Sequence, residues 1–377
     1  MSRANINAVI IGTGMIAHVH FRSLKAAGVN VVGLVDANRE QAEAVAKSWQ
    51  VRVFDNAQEA FDSEEVNVIH VCTPNRFHYE LAKGALIAGK HVICEKPLAT
   101  TLEDALELKA LAEQHNVVHA VPFVYRYHPM VREAKALIES GETGALHLIH
   151  GSYLQDWLLD QTDNNWRVDP KQGGASRAFA DIGSHWCDLV EWITGERFVE
   201  LVANFHTAQS ERNSDTAETF SSHHTTDENA EKVKVTTEDI ATLLMRTNKN
   251  TPATLTVSQV SAGRKNRLWF EIDASEQSIE FDQETPEQLW VSTRKSRSLL
   301  VRDPSQGSDE QKRLSLTPAG HAQGYSHCFD AFIKDVYDTI LGESPLGVPT
   351  FTDGLRAARL IDASLRSVKE KRWVSVE

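Results

Sequence analysis

Asp181 and His185 stand four residues apart in Ala180-Asp181-Ile182-Gly183-Ser184-His185-Trp186-Cys187-Asp188, with Asp188 three further on. On a helix that spacing puts the carboxylate and the imidazole on one face. Such a pair can position a hydroxyl group and accept its proton, because histidine titrates near neutral pH. The plainer reading makes Asp181 a helix N-cap and His185 a satisfied core residue. A second stretch, Cys94-Glu95-Lys96-Pro97, adds a lysine able to donate to a hydroxyl and to stabilise a developing alkoxide. On an ordinary surface a Lys beside a Glu is a solvated pair. Neither stretch has the HExxH or Cys/His spacing of a metal centre, so no metal is expected.

The third stretch is Gly12-Thr13-Gly14-Met15-Ile16-Ala17, directly after an apolar run over 8–11. This is a G-x-G-x-x-A turn. Gly12 permits a tight exit from a strand, Gly14 leaves room for a pyrophosphate, and Ala17 lets a helix opening at Met15 and Ile16 pack close. The helix N-terminus then faces the phosphates. A second apolar run, 31–35, ends in Asp36, placed to accept from a ribose 2′-hydroxyl. With no basic residue before Arg39, the carboxylate favours NAD over NADP.

The elements that must hold these residues follow from periodicity. Short apolar runs at 6–11, 30–35, 51–54, 67–72, 91–94 and 117–121 alternate with helical patterns at 15–27, 39–48, 56–62, 76–88 and 101–114. That alternation predicts a doubly wound parallel Rossmann sheet over 1–123, with ligands at the carboxyl ends of the strands. The rule selects Gly12, Thr13, Gly14, Asp36, Thr73, Pro74, Asn75, Glu95, Lys96, Pro97 and Phe123. Over 124–377 the pattern changes to helices at 129–140 and 182–194 and strands at 146–154, 198–206, 239–246, 252–260, 267–273, 278–282 and 288–292. A large, mostly antiparallel open sheet is expected there, in an α+β domain. Closing helices follow at 325–341 and 351–371, and the C-terminal helix is expected to pack back on the Rossmann domain. The polar stretch 207–232 reads as an exposed, mobile insertion.

Composition sets outer bounds. The 377 residues are 41% apolar and 24% charged, as in a soluble globular protein of two domains. The net charge of −13 argues against nucleic acid as a partner. No run is long and apolar enough for a membrane span. Four scattered cysteines and an N-terminus without signal-peptide character lead to the expectation of a cytoplasmic protein.

Several polar residues suit a carbohydrate, with aromatic faces beside donors and acceptors. They are Tyr125, Arg126 and Tyr127, then Tyr153, Gln155, Asp156 and Trp157, then Trp166-Arg167, and Tyr325 with His327. His18, His20, His119, His128, His147 and His150 read as packing or surface residues, and His223 and His224 fall in the polar stretch.

Taken together in this order, the GTGMIA turn, Thr73-Pro74-Asn75 with His78, Glu95-Lys96-Pro97 and Asp181-x-Gly183-x-His185-x-x-Asp188 resemble the glucose–fructose oxidoreductase/inositol dehydrogenase family, Gfo/Idh/MocA. The resemblance spans nearly the whole chain apart from 207–232. It implies NAD(P)-linked oxidation of secondary alcohols of sugars, polyols or inositols, and a C-terminal sheet that commonly makes a homodimer or homotetramer. By motif, Lys96 contacts the reacting oxygen, Asp181 positions substrate and His185 is the general base. Pro74 and Asn75 lie by the nicotinamide and its ribose, and Glu95 holds a cofactor hydroxyl. Two other expectations stand beside the dehydrogenase: a redox-neutral NAD-dependent glycosidase, and a non-catalytic NAD- or sugar-binding regulator.

Overall fold

The computed structural model describes residues 2–214 and 231–376. They group into two compact units, Met1–Val124 with Ser326–Ala358, and Tyr125–Tyr325 with Arg359–Glu377.

In the first unit, β1 (Asn7–Ile11), α1 (Met15–Ala26), β2 (Asn30–Val35), α2 (Arg39–Trp49), β3 (Arg52–Val53) and α3 (Ala57–Asp62) form one half. The other half is β4 (Val68–Val71), α4 (His78–Ile87), β5 (His91–Cys94), α5 (Leu102–His115) and β6 (His119–Ala120). All six strands pair in parallel, in the order β3-β2-β1-β4-β5-β6. The order reverses between β1 and β4, and it is there that a doubly wound sheet opens a crevice. Strands so enclosed are buried on both faces: Val9, Ile11, Ile69, Val71, Val92 and Cys94 share one core with Leu86, Leu108, Phe351 and Leu355, and Ala8, Ile10, Val68 and Ile93 are buried on the opposite face. Asn38, Asn56 and Thr101 cap α2, α3 and α5 by accepting from backbone N–H groups, which starts each helix where its strand connection ends.

The second unit contains α6 (Pro129–Glu139), β7 (Leu146–Leu154), α7 (Pro170–Gly173), a π turn (Phe179–Gly183), α8 (Ser184–Thr194) and β8 (Phe198–His206). Then come β9 (Glu211–Asn213), β10 (Lys232–Lys234), β11 (Ile240–Thr247), β12 (Pro252–Ser258), β13 (Arg267–Ala274), β14 (Ser278–Asp282), β15 (Gln288–Ser292), β16 (Arg297–Val301) and α9 (Asp309–Leu314). The chain closes with α10 (Tyr325–Ile340), α11 (Phe351–Glu370) and β17 (Val374–Ser375). A nine-stranded sheet runs β16-β15-β14-β13-β7-β12-β11-β8-β17, with β7–β12 its parallel pair. In β11, Ala241, Leu243 and Met245 are buried while Thr242, Leu244 and Arg246 are exposed, so one face packs and the other does not. Helix α8 lies on the packed face. Trp186 is fully buried and donates from Nε1 to the Trp269 carbonyl at 2.9 Å. A side chain at Gly151 of β7 would collide with both groups, so that strand position requires glycine. Gly195, at φ +68°, ends α8.

Periodicity missed β16, β17, α9 and the β9–β10 hairpin, all short. The hairpin corrects the reading of 207–232 at its described ends. Arg212 of β9 is fully buried, donating to the carbonyls of Asp160, Asp163 and Leu158 and to Asp239. That anchoring is incompatible with an exposed insertion at these residues. Residues 215–230, with His223 and His224, lie outside the described residues. Residues 326–358, expected within a C-terminal domain, group with the first unit.

Candidate active site

The first unit's site is made by backbone. Gly12 has φ +101°, and a Cβ there would lie 2.6 Å from the Cys72 carbonyl oxygen, so only glycine lets β1 leave beside the end of β4. Gly14 caps α1, and a Cβ on it would meet no atom within 4 Å. Exposed Met15 and half-buried Ile16 follow, and Ala17 is fully buried under the helix. Thr13 donates to Asp36 Oδ2 at 2.6 Å, and Asp36 Oδ1 accepts the Asn38 N–H at 2.9 Å. The acid is thus fixed at the end of β2 with lone pairs left for a ligand hydroxyl. Arg39 turns to Glu43 and Asp55, at 2.8 Å each. An open helix N-terminus beside an anchored acid fits a dinucleotide with an unmodified ribose.

Beyond β4, half-buried Thr73, Pro74 and Asn75 lead into a 3-10 turn. Buried His78 joins this loop to the next, with Nε2 2.9 Å from the Thr73 carbonyl and Nδ1 2.7 Å from that of Pro97. Burial lowers its pKa, the two carbonyls acting in the opposite sense. Past β5, buried Glu95 accepts the Lys96 N–H at Oε2, at 3.1 Å, and the Lys96–Pro97 peptide is cis. Lys96 is half-buried.

The second unit's site is made by side chains from distant positions. Asp181 lies in the π turn and His185 in the first turn of α8. Glu238 starts this segment by accepting the N–H groups of Arg177 and Phe179 at 3.0 and 2.9 Å. Gly183 is required because a Cβ would stand 2.5 Å from the Phe179 ring. Asp181 Oδ2 accepts from Gln259 Nε2 at 2.8 Å, and Oδ1 lies 3.5 Å from Arg167 Nε. Arg167 lies over the Trp166 ring at 4.3 Å. The structure therefore brings Trp166, Arg167 and Asp181 together. His185, 7% exposed, meets the Tyr125 ring edge-on at 4.8 Å, and Tyr325 lies 6.2 Å from the same ring.

Tyr125 and Tyr153 are joined at 2.7 Å, and Tyr153 donates to Asn266 Oδ1 at 2.7 Å. Burial, with Tyr125 beside it, pushes the Tyr153 phenol well above its ordinary value, so it keeps its proton. Gln155 donates to the same Asn266 oxygen at 2.8 Å and Trp157 donates to Gln155. Arg126 is directed elsewhere: buried, it clamps Asp188 of α8 through Nε at 2.8 Å and through Nη2. Gln259 and Asn266 were missed, since a lone amide at a strand end carries no motif.

Residues 6–123 match the model of an oxidoreductase family with an NAD-binding Rossmann fold, and residues 131–280 match the Gfo/Idh/MocA C-terminal domain. Levoglucosan dehydrogenase of Pseudarthrobacter phenanthrenivorans is 30% identical over 394 residues, covering 99% of this chain and 98% of that protein. Glucose-6-phosphate 3-dehydrogenase of Bacillus subtilis is 34% identical over 191 residues, covering 50% of this chain and 54% of that one. A structure of levoglucosan dehydrogenase in complex with NADH and L-sorbose superposes with a TM-score of 0.89 at 28% identity, covering 99% of each chain. The chain therefore belongs to the Gfo/Idh/MocA family of NAD-dependent sugar oxidoreductases.

Proposed function

We propose that the chain oxidises a ring secondary hydroxyl of an uncharged pyranose sugar, or of a related inositol or polyol, to the ketone. The observation that carries this reading is the Asp181–His185 segment, with its carboxylate held by Gln259 and Arg167 and its imidazole packed on Tyr125. Bound NAD supplies the hydride acceptor. Gly12, Thr13, Gly14, Met15 and Ile16 line the phosphates, Asp36 accepts from the adenosine ribose, and Thr73, Pro74, Asn75 and Glu95 serve the nicotinamide half, with His78 holding their loop. His185 takes the hydroxyl proton, Lys96 donates to the reacting oxygen as charge builds on it, and Asp181 accepts from a sugar hydroxyl.

Trp166, Arg167 and Tyr325 contact the sugar in this scheme. Tyr125, Tyr153 and Arg126 support it from behind, because their polar atoms are taken up by one another, Asn266 and Asp188. Arg126 and Arg167 each face a carboxylate, which favours an uncharged sugar over a phosphorylated one. Asp36 favours NAD over NADP.

We further propose a homodimer or homotetramer through the outward face of the nine-stranded sheet. Leu244, Thr254, His150, Glu271, Glu280, Trp290 and Leu299 lie in register across it. Light scattering giving a monomer mass would refute that part. No helix among the described residues is long and apolar enough to cross a membrane. The four buried free cysteines are in keeping with a cytoplasmic location.

The test is NADH appearance with purified protein, NAD, and anhydrosugars, glucosides, hexoses, sugar phosphates, inositols and polyols. A signal with one uncharged class is expected. Silence throughout, with NAD binding demonstrated by titration, would overturn the dehydrogenase reading in favour of the redox-neutral glycosidase or the regulator.

A further inference from the structure

Glu95 ends a file of buried side chains whose other members, His20, His70 and Tyr337, the proposed chemistry does not use. Its Oε1 lies 3.1 Å from His20 Nε2, His20 Nδ1 lies 2.8 Å from His70 Nδ1, and His70 Nε2 lies 2.9 Å from the Tyr337 hydroxyl. His20, His70 and Tyr337 are 0% exposed and Glu95 7%. The four come from α1, β4, α10 and the end of β5, all within the first unit.

With both imidazoles neutral, counting hydrogens fixes the direction of the file. There are three contacts. The phenol and two neutral imidazoles supply one hydrogen each, and a carboxylate supplies none. The Tyr337 hydroxyl has no other hydrogen-bond partner among the described residues, so it donates to His70 Nε2. His70 then carries its hydrogen on Nδ1 and donates to His20 Nδ1, and His20 donates from Nε2 to Glu95 Oε1. Burial supports this arrangement, holding the His70 pKa well below its usual value, with His20 beside it, and raising that of Tyr337 well above. Reversing all three bonds would leave a phenolate in an apolar core, so the file does not conduct a proton to solvent.

We propose that Tyr337, His70 and His20 are positioning residues forming a one-way relay, which keeps Glu95 an acceptor and aims its remaining lone pairs at a hydroxyl of the bound cofactor. The proposal rests on the assignment of Glu95 to the cofactor. Oε2 is already fixed by the Lys96 N–H, so the relay at Oε1 sets the plane of the carboxylate. Without the relay, NAD would meet a carboxylate held at one oxygen only.

Two measurements test the relay. Side-chain ¹⁵N NMR of the intact apoprotein should find His20 protonated at Nε2 and His70 at Nδ1, and a His70 proton on Nε2 would overturn the proposal without any variant. NAD titration should then show Tyr337→Phe weakening affinity about fivefold, the scale of one hydrogen bond. In a Glu95→Gln background the same change should add nothing, because the group it positions is gone. Equal losses in both backgrounds, or a weakened Glu95→Gln beside an unaffected Tyr337→Phe, would overturn the relay and leave the proposed function standing. Unchanged affinity in Glu95→Gln would instead remove Glu95 from the cofactor site, and the relay's purpose with it.

Discussion

The two units build their sites by opposite means. In the first, backbone shapes the turn, with Gly12 at φ +101° and Gly14 at the head of α1, and the one carboxylate set beside it, Asp36 at the end of β2, belongs to the same β-α-β unit. In the second, Tyr125, Tyr153, Arg167, Asp181, His185, Gln259 and Asn266 converge from six separate stretches and hold one another by side-chain contacts. A backbone site is nearly all-or-none at its glycines, whereas a networked site loses function by degrees and only abruptly at the group that moves the proton.

The sharpest break of that contrast is His185→Ala, where kcat should fall about 10²–10⁴-fold with NAD affinity unchanged, as read by turnover and NAD titration. A fully active variant would remove His185 as the base. Gly12→Ala should act in the reverse sense. Its Cβ would lie 2.6 Å from Cys72 carbonyl oxygen at a left-handed φ, so NAD binding should be lost. Stability should drop by about 1–3 kcal/mol in thermal or urea unfolding. Intact NAD binding would contradict a backbone-built site.

Stability of the second unit should also depend on pH. His128 is fully buried, its Nε2 lacks a hydrogen-bond partner among the described residues, and burial lowers its pKa to about 4. Between that value and 6.5 the unfolded chain binds the extra proton, so stability is present above about 6.5 and falls as pH drops towards 4. The loss amounts to about 3 kcal/mol over that window. Replacing His128 with Phe should flatten this limb of urea unfolding against pH, and an unchanged limb would exclude His128 as its source.

Much of this contrast is legible in the sequence. The GTGMIA turn, Asp36 and the Glu95-Lys96-Pro97 turn are local signals, because each needs only its own strand end. Asp181 and His185 could be singled out, but not the π turn beneath Asp181: its i→i+5 bonds take up one more residue than an α turn, which a 3.6-residue periodicity does not reveal. Arg126 reads as a sugar contact until Asp188, 62 positions away, is found beside it. Arg212 reads as surface for the same reason, its partner Asp239 lying 27 positions on. The His20–His70–Tyr337 file needs contacts across 50 and 267 positions, and no local pattern encodes those.

Smaller effects sharpen the comparison. Asp36→Ala should weaken NAD about tenfold and narrow its advantage over NADP, since one charge-assisted hydrogen bond is lost while Arg39 stays paired. An unchanged NAD/NADP ratio of kcat/KM would contradict that role. Tyr153→Phe should cost about 1 kcal/mol of stability and less than about threefold in kcat/KM, the signature of a supporting group. A loss as large as that of His185→Ala would place Tyr153 in the chemistry.

In the proposed reaction, hydride leaves a ring carbon of an uncharged sugar for NAD. That transfer is tested most directly by offering the active sugar deuterated at the oxidised carbon and weighing the reduced cofactor. Released NADH should carry the deuterium, with a ketosugar as co-product. Cleavage of a glycosidic bond with no net NADH, or NADH without the label, would contradict it.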